Sequence, residues 1–335
     1  MTTEILATHT PALFAAAVNR AVELLRAGEV VALPTETVYG LAANALDERA
    51  VARIFSVKGR PANNPVIVHV ADGVMAKTCV ADWPELAEQL ARAFWPGPLT
   101  LVLSRAPNIP DIVTAGGATV GVRWPSHPFM QAVIRQCGFP LAAPSANLSN
   151  RISPTNVEHV RGQLAGKIPL IVDGGQSQVG IESSVLDLTV SPPQILRPGM
   201  IHAEALTAVG GNIQHPTSNL RHSNLKSPGL LVKHYSPKAR LLVLNWRDET
   251  DLNSQLSTFH SQLPKTHVVA HTNIPAGGNF ADVSVMPHDA EAFARAFYAT
   301  LHRCDAAGAE LIVVEAPPDT GEWSGVADRL RRAAA

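Results

Sequence analysis

The chain has 335 residues, enough for two domains of ordinary size and a substantial core. Hydrophobic residues make up 46%, charged ones 16% and aromatics 5%, with a formal net charge of -1, so no global attraction to nucleic acid exists and at most a local basic cleft remains. Cys79, Cys137 and Cys304 lie far apart, which is neither a disulfide framework nor a metal-ligand spacing. The first residues lack the pattern of a signal peptide, and no run reaches the ~18 apolar residues of a membrane span, so a soluble, cytoplasmic protein is expected.

In chain order, the first element reads as a helix. Thr10 is placed to cap it, Pro11 suits its first turn and Gly28 its end, while Leu13, Ala17, Val18, Ala21, Leu24 and Leu25 form one apolar stripe. A buried strand follows at 30–34, then a helix from Asp47 to about Val57 and a strand over 65–71. Asp82 opens the next helix, which ends near "FWPGP". Strands are expected at 99–104 and 119–124, and a helix closed by Gly138 lies between 127 and 138. Short strands follow in "LAAP", "PLIVDGG", "SSVLDL" and "QILRPG". Strands and helices alternate at first and strands then crowd together, which predicts a twisted mixed sheet with flanking helices. Residues 210–239 are rich in Asn, Ser, His, Gly and Pro without periodicity and read as a linker or lid. Beyond it a second, smaller α/β pattern spans 240–335, with strands at 240–245, 266–270 and 310–315 and helices near 252–263, 289–307 and 326–334. The domains expected are therefore 1–209 and 240–335.

Ligands of open α/β sheets gather at strand ends, and here those ends carry polar residues. Thr35, Glu36, Thr37 and Tyr39 follow the strand at 30–34. Ser145 and Asn147 follow "LAAP", and Glu182, Ser183 and Ser184 precede a later strand. Arg123 and Arg197 each sit within an apolar strand, where an arginine needs a carboxylate or phosphate, either from within the protein or from a ligand. Lys58 and Arg60 taken alone fit a solvated turn, as Ser145 and Asn147 taken alone fit a simple one, and His69 fits a satisfied core or rim position. Together, four cations with hydroxyl and amide groups suit a ligand bearing phosphate and carboxylate. There is no phosphate-binding loop, dinucleotide fingerprint, nucleophile elbow or zinc motif.

Seven segments in fixed order carry a resemblance: "PTETVYGL", "KGRPANNPVIVH", "FWPGPLTLVL", "TVGVRWPSHP", "AAPSANLSNRISPT", "VDGGQSQVGIESSVLDL" and "ILRPG". They resemble the YrdC-type domain family, and "SPGLLVKHYSPKA" resembles the linker of its long two-domain form. The pairing of Lys58 and Arg60 with Ser145 and Asn147 is the family's hallmark. The resemblance implies a YrdC-like open α/β catalytic domain followed by a smaller Rossmann-like one. It implies an enzyme, a nucleotidyltransferase that makes L-threonylcarbamoyl-adenylate and pyrophosphate from L-threonine, bicarbonate or CO2 and ATP. Mg²⁺ is expected with the ATP, and a tRNA-modifying threonylcarbamoyl transferase complex is the expected partner. By position, Thr35, His69, Arg123, Ala143 and Ser183 would surround threonine and its carbamate. Lys58, Ala62, Thr119, Ser145, Arg151, Arg197, His234 and Tyr235 would contact the nucleotide, and Arg60, Asn147 and Tyr39 would line the same cavity. Lys58, Arg60, Ser145 and Asn147 would be the catalytic group. A YrdC-like protein that binds RNA or regulates without catalysis is the alternative. Asp328 stands where the long form usually has Asn.

Overall fold

The computed structural model describes residues 2–215, 226–229, 233–257, 265–276 and 280–335. It divides into two compact units, residues 1–149 with 153–230, and residues 150–152 with 231–335. Parts of the expected linker (216–225 and 230–232) and of the expected helix at 252–263 (258–263) lie outside the described residues.

The first unit runs β1 (Glu4–Ala7), α1 (Pro11–Arg26), β2 (Val31–Leu33), β3 (Gly40–Asn44), α2 (Glu48–Lys58), β4 (Val68–His69), α3 (Gly73–Thr78), α4 (Glu85–Phe94), β5 (Leu99–Ser104) and α5 (Asp111–Thr114). It continues with β6 (Thr119–Arg123), α6 (Pro128–Cys137), β7 (Leu141–Ala142), α7 (Val157–Leu164), β8 (Leu170–Asp173), β9 (Ser184–Asp187), β10 (Gln194–Arg197) and α8 (Ala203–Gly210). Helix ends follow local chemistry. The Thr10 hydroxyl accepts from Leu13 N at 3.2 Å, and Asp47 Oδ1 accepts from Arg49 N at 2.9 Å. Gly59, at φ 61°, closes α2 in the left-handed conformation that a side chain would disfavour. The helix expected from Asp82 starts at Glu85 instead, after Pro84.

Ten strands form one mixed sheet in the order β1-β8-β2-β3-β7-β4-β6-β5-β9-β10. Side chains alternate across a strand, so the registers assign every residue to a face. On one face Ala32, Leu41, Ala43, Val68, Leu101, Val122 and Leu186 pack against Ile54 of α2, Leu90 of α4, Leu164 of α7 and Leu206 of α8. On the other, Val31, Leu33, Ala42, Leu141, Leu170 and Val172 lie under Val18 and Leu25 of α1 and Phe129 and Ile134 of α6. Beyond β7 that second face changes character. The registers His69 with Arg123, Leu101 with Val122 and Thr100 with Val185 place His69, Thr100 and Arg123 on it, with Gly121 two residues before Arg123. A Cβ at Gly121 would lie 3.2 Å from Thr100 Cγ2, so a glycine keeps this half-face flat.

The second unit contains β11 (Arg240–Leu244), α9 (Glu249–Gln255), β12 (Thr266–Ala270), β13 (Asp282–Val285), α10 (Ala290–Ala306), β14 (Leu311–Glu315) and α11 (Ser324–Ala333). Its strands are all parallel, in the order β11-β14-β12-β13. Every residue of β12 and β14 is buried, as expected for a parallel sheet covered on both faces. The exposed Glu291, Arg295 and Arg303 form a solvated face of α10. Asp328 is buried and gathers Arg329 at 3.0 Å, Arg332 at 3.1 Å and Arg331 at 2.5 Å, a cluster that an Asn could not neutralise. Among the described residues, no helix is long and apolar enough to cross a membrane.

Candidate active site

The polar half-face is organised around Arg123, which leaves the end of β6 almost completely buried. Its Nε donates to Gly97 O at 3.2 Å and its Nη1 to Thr37 Oγ1 at 2.9 Å. Its Nη2 lies 2.7 Å from Glu36 Oε1, close enough for an ion pair but off the N–H direction of a hydrogen bond. The sequence left open whether Arg123 meets an internal carboxylate or a ligand, and the structure supplies Glu36. Ser126 N also donates to Glu36 Oε1, at 3.1 Å. Burial pushes the Glu36 carboxyl up, but Arg123 and the Ser126 N–H outweigh it, and the group is held below the usual carboxylate range. A guanidinium has five N–H groups, more than these contacts use, so donors remain for a second carboxylate.

His69 pairs in register with Arg123 on β4. Burial first, then the neighbouring Arg123 charge, lower its pKa to about 3, so the ring is neutral at working pH. Its Nδ1 has no partner among the described residues. Thr35 turns its hydroxyl to Val38 O at 2.6 Å, with Thr37 Oγ1 3.0 Å away. Tyr39 ties the same loop to residues 174–175, donating to Gly175 O at 2.7 Å and accepting from Gly174 N at 3.1 Å. Burial raises its phenol, which stays protonated.

A second group surrounds Arg197 at the end of β10. Its Nε donates to Ser183 O and its Nη2 to Ser183 Oγ, each at 3.0 Å, and its Nη1 donates to Pro228 O at 3.1 Å. Ser183 Oγ is 2.8 Å from Thr100 Oγ1, which joins this group to the floor of the half-face. Adjacent Glu182 accepts from Ser153 Oγ at 2.6 Å.

Lys58, the last residue of α2, reaches the loop after β7. Its Nζ donates to Ser145 O at 2.6 Å, Asn147 O at 2.5 Å and Asn147 Oδ1 at 3.2 Å, and Ser145 Oγ donates to the same Oδ1 at 2.6 Å. Burial pulls the Lys58 pKa well down, Arg60 adds to this and Glu182 opposes it. Three carbonyl acceptors nevertheless match the three N–H groups that only an ammonium offers. Of the hallmark pairing read in the sequence, the Lys58 half is thus a direct contact. Arg60 closes its own turn, donating to Asn64 O at 2.9 Å, Asn64 Oδ1 at 2.7 Å and Pro65 O at 2.6 Å.

Ala143 is buried beside Gly40, where a Cβ would lie 3.3 Å from its own. Thr119 lies in a closely packed surface crevice with Val66, Ile67, Gly121, Lys226 and Ser227, while Ala62 is exposed on the Arg60 turn. Arg151, His234 and Tyr235 belong to the second unit. There Arg151 bridges to Ser236, the His234 and Tyr235 rings lie edge to face at 3.9 Å, and the Arg329 guanidinium sits 5.4 Å from the Tyr235 ring centre. Sequence reasoning noted Glu36 and Thr37 at a strand end without giving them a role and passed over Thr100. The signal for Glu36 was the need of buried Arg123 for a carboxylate.

A family model for Sua5, YciO and YrdC proteins, described as "Telomere recombination", matches residues 23–199. A second, described as "Threonylcarbamoyl-AMP synthase, C-terminal domain", matches residues 201–335. The threonylcarbamoyl-AMP synthase of Pyrococcus abyssi is 40% identical over 314 residues, covering 92% of this chain and 91% of its own. That of Bacillus subtilis is 42% identical over 323 residues, covering 95% and 92%. The crystal structure of Pyrococcus abyssi Sua5 complexed with L-threonine superposes with a TM-score of 0.91 at 37% identity, over 99% of this chain and 98% of that one. With the first model spanning most of the first unit and relatives matched over nearly their whole lengths, the chain belongs to the Sua5, YciO and YrdC family, in the two-domain form that carries the threonylcarbamoyl-AMP synthase C-terminal domain.

Proposed function

We infer that the protein makes threonylcarbamoyl-AMP and pyrophosphate from L-threonine, CO2 or bicarbonate, and ATP, for the threonylcarbamoyl modification of tRNA. The observation that carries this reading is the match, through both units, to relatives that bear the synthase name. The geometry of the first unit supports it. In the reaction the neutral threonine amine attacks CO2, a C–N bond forms and a proton is lost. An oxygen of the resulting carbamate then attacks the α-phosphorus, and the P–O bond to pyrophosphate breaks. No enzyme nucleophile is needed, so the protein's work is positioning and charge stabilisation.

Arg123, already oriented by Gly97, Thr37 and Glu36, clamps the threonine carboxylate with its remaining donors. His69, neutral and with a free Nδ1, faces the same bound molecule as hydrogen-bond partner rather than as a charge. Arg197 sits towards the phosphates, and Ser183, which accepts from it, towards the threonine carbamate. Lys58 fixes the Ser145–Asn147 loop and adds positive potential behind it. Mg²⁺ would travel with the triphosphate, held mainly by phosphate and water, since Glu36 and Glu182 are committed to Arg123 and Ser153. A transferase that takes the adenylate onward is the partner this product requires.

Purified protein should release pyrophosphate from ATP only when threonine and bicarbonate are both present. Serine should do worse than threonine by roughly 1–3 kcal/mol if the site packs the extra methyl. Threonine-independent release of pyrophosphate would remove this reading.

A further inference from the structure

The carboxyl edge of the parallel sheet in the second unit carries a cluster that the synthesis reaction does not use. Ligands of parallel α/β units bind at this edge. Here the loop after β12 brings His271 and Thr272, and the loop after β13 brings His288. His271 Nδ1 lies 3.0 Å from His288 Nδ1 and 2.9 Å from Thr272 Oγ1, and Thr272 Oγ1 lies 3.0 Å from His288 Nδ1. The three atoms form a nearly equilateral triangle.

Two protons can hold this triangle together in the metal-free chain. His271 Nε2 is 3.2 Å from Ala316 O, and a carbonyl only accepts, so the ring proton sits on Nε2 and Nδ1 presents a lone pair. The proton for the His288 edge must then come from His288 and that for the Thr272 edge from the hydroxyl, which leaves the third edge without a proton of its own. A metal ion answers all three lone pairs at once. Donors bound at about 2.1 Å and at right angles to one another lie about 3.0 Å apart, the spacing found here. We propose that His271 Nδ1, His288 Nδ1 and Thr272 Oγ1 form one face of a binding site for a divalent transition-metal ion of the Zn²⁺, Co²⁺ or Ni²⁺ class, with water on the remaining positions.

The surroundings are those of a supported site. Donation of the far ring nitrogen to a backbone carbonyl is what orients a ligating histidine. The His271 ring packs against His288 at 5.1 Å and Trp323 at 5.5 Å, those two rings lying 6.1 Å apart, with Phe293 edge-on at 5.8 Å. Below it, Glu315 fixes the ligand-bearing loop, accepting from His271 N at 2.7 Å, Thr272 N at 2.9 Å and Asn273 N at 3.1 Å. Burial raises the Glu315 carboxyl, but these N–H groups outweigh it, so an anion backs the site. Imidazole nitrogen suits late first-row metals, and the single weak hydroxyl ligand suits exchangeable binding. No group of three His, Cys, Asp or Glu side chains poised for a metal occurs among the described residues, so the hydroxyl is what completes this face.

The test reads metal rather than turnover, so it stands apart from the synthesis reaction. The full chain, stripped with a chelator, is titrated with Co²⁺ and with Zn²⁺ against a chromophoric indicator, and its melting temperature is followed with and without each ion. One equivalent bound, with a raised melting temperature, is the expected result. His288 is exposed, so His288→Ala should keep the metal-free melting temperature while weakening binding by more than the roughly 10–100-fold that loss of an outer-shell partner costs. Glu315→Gln should weaken it within that roughly 10–100-fold range. Absence of binding by the parent chain, or unchanged affinity in His288→Ala, overturns the proposal.

Discussion

The two units place polar chemistry in different parts of a sheet. The second unit is wholly parallel, and the buried β12 and β14 at its centre show both faces covered. Only its carboxyl edge is left for His271, Thr272, His288 and Glu315. The first unit is mixed, and helices α1 and α6 cover the second face only over β8, β2, β3 and β7. The rest of that face holds His69, Thr100 and Arg123. The mixed sheet thus leaves part of a face free, whereas the wholly parallel one leaves an edge. A face must bury its charges against the core, and in the first unit this is done by pairing Arg123 with Glu36, whereas the buried pairing of the second unit, Asp328 with Arg329 and Arg332, lies on α11.

The largest effect should come from breaking the pairing of Arg123 with Glu36. Arg123→Met leaves Glu36 buried with one oxygen already lacking a partner among the described residues, and should cost roughly 3–5 kcal/mol in urea denaturation along with most turnover. Adding Glu36→Gln should recover part of the stability but not the activity. A single mutant as stable as the parent would show that the face does not depend on this pair. Next is Lys58→Met, which strands the carbonyls of Ser145 and Asn147 at about 1–3 kcal/mol and should lower kcat by on the order of 10²–10³. Steady-state pyrophosphate release would measure the rate.

A smaller effect concerns pH. The folded pKa of His69 is lowered from 6.5 to about 3, so between these values the unfolded chain binds a proton that the folded one does not. Stability from this group is present above pH 6.5 and is lost as pH falls towards 3, by at most about 1.4 kcal/mol per pH unit. Glu36, also lowered, has the same sign, and its share begins to fall only below its ordinary value of 4.5. His69→Gln should therefore flatten the upper part of the slope and leave the lower part. An unchanged slope between pH 6 and 5 would mean that His69 is not held neutral. Least disturbing is Gly121→Ala, whose methyl would meet Thr100 Cγ2 at 3.2 Å and Ile67 Cγ1 at 3.6 Å. Stability should change by only about 1 kcal/mol, while the KM for threonine rises more than kcat falls. Equal changes in both would place the half-face floor away from the bound amino acid.

Elements with a strong local signature were legible in the sequence. The capped helices α1, α2 and α6 and the long apolar strand β5 stand where the patterns put them. Strand β3 escaped notice because Gly40–Asn44 is built of small residues buried on both sides and shows no alternation. The strand expected over 65–71 shrinks to Val68–His69, since Pro65 has no N–H to give to a ladder. In the site, Arg123 and Arg197 announced themselves as cations inside apolar strands, but what answered them did not. Arg197 donates to the carbonyls of Ser183 and Pro228 and to the Ser183 hydroxyl, acceptors that the loop geometry brings to it and no sequence spacing reveals. The triangle around His271 joins two loops seventeen residues apart and has no sequence spacing to reveal it.

Residues Asn150–Ile152 count with the second unit although they interrupt the first. Ser236 N donates to Asn150 O at 2.9 Å, and Asn150 and Tyr235 both adopt positive φ, at 64° and 63°. The chain therefore passes from one unit to the other three times, at 149/150, 152/153 and 230/231, and no single cut separates them. A shortened chain ending near residue 230 would keep a tripeptide shaped for a strand partner it no longer has. Its residual activity would report on that orphaned tripeptide as much as on the missing unit, and a clean excision needs residues 150–152 rebuilt as an ordinary surface turn.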